Sequence, residues 1–332
     1  MQGKSLFSHT FSTHEAQQLH RMLDIKSNPY QNYHLFLEEI QTLISTDQIP
    51  IFFTDICRHI KDLDLNESPA IILRNCPIDD SLPVFDHKEP VQSKYGLKKT
   101  FIAEAFLNLY SELVGSYPVG YKTINNGDLF HDIYPKADLL NSQSQKSTVT
   151  LGFHNDLPNN KVRPDWVNIL CLRNSNLNRV STTMIRNKDI IDVLDQETLD
   201  ILKEPIFFTP HEVVSVDGGR NEEGIEIKPI YQETDPVPLC YFETRTQSSH
   251  PEGQHAIQEL DRVLHEVKQP VFLEPGDFVS IANNYSLHAR EVIHIGDREA
   301  HQKRWLCKTF NVDNIKEHQA AMSDGQFRVV DE

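Results

Sequence analysis

The sequence predicts an α+β protein in which a double-sheet, jelly-roll core (a double-stranded β-helix) is flanked by helices. Two observations support this class. The first 65 residues carry apolar positions at three- and four-residue intervals, which is the spacing of amphipathic helices. From about residue 119 onward the chain changes to short runs rich in Val, Ile, Thr and aromatic residues, separated by Asn, Pro, Asp and Gly. Many short strands with long connections are typical of a β-sandwich or jelly roll.

The individual elements follow in chain order. A helical N-terminal region, residues 1–65, contains the segments HEAQQLHRML, YHLFLEEIQTLI and IFFTDICRHIKDL. AIILRN then reads as a buried strand, and residues 99–114 as a helix. The later predicted strands are VGYKTI, STVTLGF, DWVNILCLR, STTMIR, EVVSV, LCYFET, PVFLEP and DFVSIA, and the later helices are NKDIIDVLDQETLDILK and HAIQELDRVLHEVKQ. We expect one domain over residues 1–332, with the jelly-roll core in residues 66–312 and a C-terminal tail in residues 313–332.

Composition limits the classes of function. The chain of 332 residues is 39% hydrophobic and has no apolar run long enough to cross a membrane. Its net charge of -16 argues against sequence-independent nucleic-acid binding, which needs a basic face. The N-terminal segment lacks the pattern of a secretion signal, so we expect a cytoplasmic protein with a small-molecule substrate. Self-association through the helical N-terminal region stays open.

The stretch LGFHNDLPNN, residues 151–160, contains the first candidate for chemistry. In an extended strand, His154 and Asp156 point to the same face and can offer a nitrogen and an oxygen to one ion. This pattern alone is weak, because the chain has 16 histidines and a surface turn is the commoner explanation. The segment FLEPGDFVSIANNYSLHARE adds a distant His288, which we expect on a loop after a strand.

Two histidines and one carboxylate form the facial triad that holds a non-haem Fe(II) and leaves its other positions open. Those positions admit a bidentate 2-oxo acid and O2. Arg304 follows His288 at the start of the next predicted strand. An arginine there can bind the far carboxylate of 2-oxoglutarate through two parallel hydrogen bonds.

Several segments extend this pattern to a family. TLGFHNDLPNNKVRPDWVNILCLRNSNLNRVSTT, NNGDLFHDIYP, LEPGDFVSIANNYSLHAR and KRWLCK resemble the clavaminate-synthase-like branch of the Fe(II)/2-oxoglutarate-dependent oxygenases, which includes hydroxylases of free arginine and asparagine. Together with AIILRNCPIDDSLP these blocks cover most of residues 69–312. The resemblance implies an enzyme that uses Fe(II), 2-oxoglutarate and O2 to hydroxylate an unactivated C–H bond of an amino acid, with release of succinate and CO2. A basic amino acid is one candidate substrate.

The resemblance also assigns roles. It implies His154, Asp156 and His288 as iron ligands, although the branch more often has Glu where Asp156 stands. Arg304 falls on the residue that binds the 2-oxoglutarate carboxylate, and Thr183, or the adjacent Thr182, on its hydroxyl helper.

The substrate contacts that the resemblance implies are Asn125 or Asn126 for the amine, Glu243 for a cationic side chain and Lys308 for the α-carboxylate. At the last position the hydroxylases usually carry Arg, and Lys lacks the planar fork of Arg. A modified, peptidyl or carrier-tethered amino acid therefore stays open as substrate. Desaturation or cyclisation in place of hydroxylation, and a non-catalytic metal-binding homologue, also stay open.

Other conspicuous residues are better explained by structure. His131 and Asp132 could be mistaken for a second metal pair, but a strand end is the simpler explanation. Trp166 and Trp305 are expected to pack in the core or at its rim. The polar segment 216–237 has too little apolar content for a core element, and we expect it to cover the site when substrate binds.

Overall fold

The fold is a mixed α/β arrangement in which helices cover a large sheet. The computed structural model describes residues 6–210, 226–234 and 238–331. In that part the helices are α1 (Thr13–Met22), α2 (Tyr33–Ser45), α3 (Ile51–Lys61), α4 (Pro90–Leu97), α5 (Ile102–Val114), α6 (Asn187–Ile191), α7 (Gln196–Leu202), α8 (Pro251–Val267) and α9 (Arg298–Gln302). The strands are β1 (Leu6–Thr10), β2 (Ala70–Arg74), β3 (Tyr117–Tyr121), β4 (His131–Ile133), β5 (Leu151–His154), β6 (Trp166–Arg173), β7 (Asn178–Arg186), β8 (Phe207–Phe208), β9 (Gln247–Ser248), β10 (Gln269–Phe272), β11 (Phe278–Ala282), β12 (Ser286–Ile295), β13 (Trp305–Val312) and β14 (Val329–Val330).

Two sheets contain most of these strands. The larger has eight strands in the order β1-β2-β11-β6-β13-β3-β14, and β4 also pairs with β13. The smaller has the order β10-β7-β12-β5, and all its pairings are antiparallel. Strands that are distant in the chain are therefore neighbours in space, which brings residues 131, 154, 288 and 308 towards one region.

Three apolar clusters hold the layers together. One lies between helices α1, α2, α3 and α5 and the outer face of the larger sheet, and Phe36, Phe53 and Phe106 belong to it. A second contains residues of both sheets, including Ile169 and Met184. The third packs α7 and α8 against the outer face of the smaller sheet. The molecule is thus layered as helices, sheet, sheet and helices, with the second cluster between the sheets.

Most predicted helices and strands form at the predicted places, but three predictions are wrong. His288 lies inside the ten-residue strand β12 and not on a loop, because the Asn-Asn-Tyr turn before it is short. LCYFET makes only isolated bridges and no strand. The N-terminal region also contains the strand β1, which pairs in parallel with β2. EVVSV lies outside the described residues, as does most of the segment predicted to cover the site. None of the described helices is long and apolar enough to span a membrane.

Two buried lysines join α4 and the chain after it to neighbouring segments: Lys94 to β4 and the loop before it, and Lys98 to α5 and the loop after β2. Lys94 Nζ lies 2.9 Å from Asp128 and 2.8 Å from Asp132. Lys98 Nζ lies 2.8 Å from Asp79 Oδ2 and 3.1 Å from Glu104 Oε2. Asp79 also accepts hydrogen bonds from the first-turn N–H groups of Ile102 and Ala103, which helix α5 cannot satisfy internally.

We expect Lys98→Met to lower the free energy of unfolding by about 3–5 kcal/mol, because it leaves two buried carboxylates without their cation. Urea denaturation followed by circular dichroism measures the loss. The control is Arg262→Met, which removes an exposed pair with Glu259 and Glu266 on α8 and should change stability little. Equal losses in both variants would contradict a stabilising role of the buried cluster.

Candidate active site

Three side chains that can coordinate a metal ion lie close together where the smaller sheet meets the loop after β5. His154 ends β5, Asp156 follows two residues later, and His288 lies on β12. The register of β5 and β12 pairs His288 directly with His154. One donor atom of each of the three residues lies within 4.8 Å of the other two. The pairing of β5 and β12 therefore brings residues 134 positions apart into one ligand set.

The two imidazoles present their Nε2 atoms to the Asp156 carboxylate. His154 Nδ1 donates to Gly152 O at 2.8 Å, which leaves the Nε2 lone pair facing Asp156 Oδ1 at 3.8 Å. His288 Nε2 lies 3.3 Å from Asp156 Oδ2. Burial, with a contribution from His288, lowers the pKa of His154 to about 3, so its imidazole is neutral and able to coordinate.

Asp156 is ionised at neutral pH. Burial acts to raise its pKa, but Lys308 and the two imidazoles outweigh this and hold the pKa below its ordinary range. Its backbone N–H donates to Asn283 Oδ1 at 2.9 Å, which fixes the loop after β5. A carboxylate and two imidazoles on one side of a cavity are the donor set that Fe(II) takes in non-haem oxygenases, so the residues present fit this metal.

Asn155, between the two ligands of the loop, holds the strands behind the site together. Its Nδ2 donates to Asn283 O at 2.9 Å and to Ser286 O at 3.2 Å, and its Oδ1 accepts from Tyr241 N. The sequence gives no signal for this role, because an Asn after a strand is most simply explained as a turn residue.

Two adjoining cavities open from the ligand set. We call one the Arg304 cavity; its lining includes Arg304, Thr182, Arg290, Lys308 and Ile133. We call the other the Phe242 cavity; its lining includes Phe242, Arg245, Asn159, Thr209 and Phe310. Both share His154, Asp156, Gln145 and Leu151, so the ligand set forms the wall between them.

Arg304 is a buried cation without an acidic partner among the described residues. Its side chain is 5% exposed, and its Nε has no hydrogen-bond partner in the described part of the chain. Burial lowers its pKa, yet a guanidinium stays charged in proteins. A buried unpaired charge is costly, and a bound anion would compensate it.

Thr182, and not Thr183, lies beside Arg304. Successive residues of a strand point to opposite faces, and on β7 it is Thr182 that lines the Arg304 cavity. Thr183 points away and donates its hydroxyl to Glu291 Oε2 at 2.6 Å. Of the two threonines that the resemblance leaves open, Thr182 is the one in the cavity lining.

Lys308 and Arg290 complete the charge of the Arg304 cavity. Lys308 Nζ lies 3.4 Å from Asp156 Oδ2 and 4.2 Å from the centre of the Phe310 ring. The guanidinium of Arg290 donates to the carbonyl oxygens of Ser144, Gln145 and Val149. Arg290 thereby holds the segment that carries Gln145 in the wall of both cavities, a role that the sequence analysis missed.

The remaining predicted substrate contacts lie away from the cavity linings. Glu243 accepts from Phe153 N at 2.8 Å and faces His265 Nε2 at 2.7 Å, on the side of α8. Asn125 faces His131 and Lys146, and Asn126 faces Tyr95. The strand geometry thus does not bring these three residues to the ligand set.

Two residues that the sequence assigned to structure, Trp305 and His131, lie on opposite faces of the larger sheet. Trp305 is fully buried and donates its Nε1 hydrogen to Asp132, which faces the helices. His131, one residue earlier, points to the opposite face, between the sheets. Burial lowers the pKa of His131 well below its ordinary value, so the imidazole is neutral.

Known proteins are similar to this chain in sequence. No family model matches the chain. Clavaminate synthase 2 of Streptomyces clavuligerus is 26% identical over 288 residues, 85% of this chain and 85% of that protein. L-lysine 3-hydroxylase of Catenulispora acidiphila is 26% identical over 272 residues, 79% of this chain and 72% of that protein. The predicted resemblance to the clavaminate-synthase-like group is confirmed by these relatives.

A solved structure agrees in fold. Asparagine oxygenase in complex with Fe(II), 2S,3S-3-hydroxyasparagine and succinate superposes with a TM-score of 0.82 at 19% identity, over 98% of this chain and 99% of that one. At this identity the comparison establishes the shared fold and nothing about individual side chains.

We expect His288→Ala and Asp156→Ala each to weaken binding of one divalent metal ion by more than about 100-fold, since loss of a supporting contact alone typically costs 10–100-fold. Anaerobic titration with Co(II), followed by its visible absorption, measures the affinity. His265→Ala is the control, because His265 is half-exposed and contacts Glu243 away from the ligand set. Unchanged Co(II) affinity in the two ligand variants would refute the metal site.

Proposed function

We propose that this relative of the clavaminate-synthase-like oxygenases is an Fe(II)/2-oxoglutarate-dependent oxygenase that hydroxylates an amino acid. In the reaction, 2-oxoglutarate, O2 and the substrate give succinate, CO2 and the hydroxylated amino acid. The observation that carries the proposal is the convergence of two imidazoles and one ionised carboxylate beside a cavity whose buried arginine has no acidic partner among the described residues. Bound Fe(II) supplies the chemistry that activates O2 for insertion into an unactivated C–H bond.

The chain's own residues hold the metal on one side. His154, Asp156 and His288 would hold the ion, and Gly152 O fixes the His154 tautomer that leaves Nε2 free to coordinate. Phe242 stacks on the His154 ring with ring centres 4.9 Å apart and closes that side of the site with an apolar surface. Ordered ligands in a largely buried pocket keep water from the reaction and position the substrate carbon.

The Arg304 cavity suits 2-oxoglutarate. Arg304 binds its distal carboxylate, and the Thr182 hydroxyl donates to the same group. The apolar side chains of Ile133, Ile169 and Leu306 line the same cavity and match the methylene carbons between the two ends of the co-substrate. The anion compensates the charge of Arg304, which has no acidic partner among the described residues.

The Phe242 cavity suits the amino-acid substrate. Its lining includes the amide groups of Gln145, Asn155 and Asn159 and the guanidinium of Arg245, whose central carbon lies 4.3 Å from the Phe242 ring centre. Asp156 is the sole carboxylate in the described lining. A substrate with a polar neutral or acidic side chain therefore fits the described lining better than a basic one.

We further propose that the chain is organised as a single domain. The two packed sheets form a jelly-roll core, residues 66–312 carry it, and residues 1–332 act as one oxygenase domain. All five cysteines are free thiols, which suits the reducing cytoplasm.

The activity assay is O2-dependent succinate formation with Fe(II), 2-oxoglutarate and a panel of L-arginine, L-lysine, L-ornithine, L-asparagine, L-aspartate and L-glutamate. We expect one of these to raise succinate release and to gain one oxygen atom by mass spectrometry. His288→Ala serves as the inactive control. A protein that binds Fe(II) and 2-oxoglutarate but releases no succinate under any condition would be a non-catalytic binding homologue. Turnover with only peptidyl or tethered substrates would instead change the substrate class.

Binding of 2-oxoglutarate distinguishes the two threonines of β7. We expect Thr182→Val to weaken it by about 10-fold, because a hydrogen bond to a charged group is lost. Arg304→Met should weaken it by an amount on the order of 2–5 kcal/mol. Thr183→Val is the matched control; it removes the contact with Glu291 and should leave the affinity within about two-fold. The measurement is the visible charge-transfer band of the anaerobic Fe(II) complex, and a larger effect of Thr183→Val would reverse the assignment.

A further inference from the structure

A further cavity lies on the helical side of the larger sheet. It is lined by the ends of α3 and α5, the start of β6 and the residue after β13. Its volume is about 290 Å³, against about 90 Å³ for the Phe242 cavity and about 50 Å³ for the Arg304 cavity. It shares no described lining residue with either of them. We call it the Trp166 cavity, after the residue of β6 in its wall.

The cavity is the gap between two helix ends. Helix α5 ends at Gly115, which has a φ of +81° in the left-handed region that glycine adopts most easily. Helix α3 ends at Lys61, and the chain then returns to β2 through Leu63 and Leu65, which are half-buried at the rim. Both helices therefore stop beside Trp166, and an apolar space remains between their ends.

The aromatic wall of this cavity is already fixed in place. Trp166 is half-buried, packs against the helical cluster and donates its Nε1 hydrogen to Asp313 Oδ1 at 2.8 Å. The backbone N–H of Asp313 in turn donates to Asp165 Oδ2 at 2.9 Å. Tyr110, which is 1% exposed, closes the inner end. An apolar group that enters would cover the exposed part of the indole without first having to order it.

One cation and one anion belong to the lining, and both are exposed to solvent. Lys61 Nζ lies beside the end of α5, 3.6 Å from the place where a Cβ on Gly115 would stand. Asp313 follows β13 on the side of the sheet. In the described part of the chain neither of the two forms a salt bridge, with each other or with a third residue. A ligand with one group of each sign would give a partner to both.

We propose that the Trp166 cavity binds a free α-amino acid with an apolar side chain, as a second ligand site separate from the metal site. The carboxylate contacts Lys61, the ammonium contacts Asp313, and the side chain packs on Trp166. A ligand with a single charge would leave Lys61 or Asp313 without a partner. The volume lies just below the usual range for small-molecule pockets, roughly 300–1,000 Å³, which suits a ligand of this size. The site goes beyond the proposed oxygenase function and does not depend on it.

The test measures binding of L-phenylalanine and L-leucine to the Co(II)-loaded protein by isothermal titration calorimetry. The comparison probes are 2-phenylethylamine, which lacks the carboxylate, and 3-phenylpropanoate, which lacks the amine. We expect L-phenylalanine to bind at least about five-fold more tightly than either comparison probe, because each of them loses one charged contact at a partly exposed position.

Tryptophan fluorescence shows where the amino acid binds. The chain has two tryptophans, and Trp305 is fully buried, so quenching by acrylamide reports mainly on Trp166. L-Phenylalanine should lower the acrylamide quenching constant by about two-fold or more, because it covers the exposed part of the indole. Quenching that stays the same while L-phenylalanine is bound would overturn the assignment to this cavity.

Variants of the two charged residues test their roles. Lys61→Met and Asp313→Asn should each weaken L-phenylalanine binding by about five-fold or more. The matched controls are Lys26→Met and Asp24→Asn, which change an exposed pair between α1 and α2 outside all three cavities and should leave the affinity within about two-fold. Equal affinity in Lys61→Met, Asp313→Asn and the unchanged protein would refute the two contacts.

His288→Ala separates this site from the active site. It removes one residue of the ligand set, yet L-phenylalanine should bind within about two-fold of its affinity for the unchanged protein, and Trp166 should stay protected. Loss of binding in His288→Ala would place the amino acid at the ligand set and overturn the second site. Absence of binding by both amino acids, or equally tight binding of either comparison probe, would overturn it as well. Failure of Co(II) binding or of succinate release refutes the oxygenase alone, since the cavity contains none of its residues.

Discussion

The alternation of side chains along β13 is the constraint on which the rest of the site depends. This strand is central in the larger sheet, where it pairs with β6, β3 and β4. Leu306, Lys308 and Phe310 point between the sheets, whereas Trp305 and Cys307 belong to the cluster under the helices. A slip of one residue would exchange the two sets and turn Trp305 towards the Arg304 cavity. The bulge between Trp305 and Leu306 and the hydrogen bond from Trp305 Nε1 to Asp132 fix this register.

The buried charges on the two faces of the larger sheet differ in how they are paired. On the helical face, Lys94 and Lys98 each contact two carboxylates, so their charges are neutralised within the protein. On the face between the sheets, Arg304 has no acidic partner in the described part of the chain, and Lys308 contacts Asp156, which also faces both imidazoles. Paired charge stabilises the fold, and unpaired charge is expensive unless a ligand provides the counterion. The helical face of the larger sheet therefore carries charges that are paired within the protein, and the opposite face carries the charges that line the cavities.

The sequence predicted what depends on local pattern and short motifs. The periodicity located most helices and strands, and the H-x-D pair with a distant His identified the ligand set, because side chains two apart on a strand share a face. The sequence leaves open what long-range register decides. Thr182 and Thr183 differ only in which face of β7 they occupy, and the loops of Asn125, Asn126 and Glu243 are positioned by contacts with Lys146, Tyr95 and His265. No local pattern reveals that His131 lies opposite Lys308.

The charges that line the two cavities differ in number by sign. Arg245, Arg290, Arg304 and Lys308 contribute four positive charges to the described lining, against the one carboxylate of Asp156. A divalent metal ion adds two positive charges, and 2-oxoglutarate brings two negative ones, so the two together leave this difference unchanged. In a site of low dielectric such charges act strongly on any charged group that enters. Asp156 is the one carboxylate that the described lining offers to a cation, and it already faces both imidazoles and Lys308.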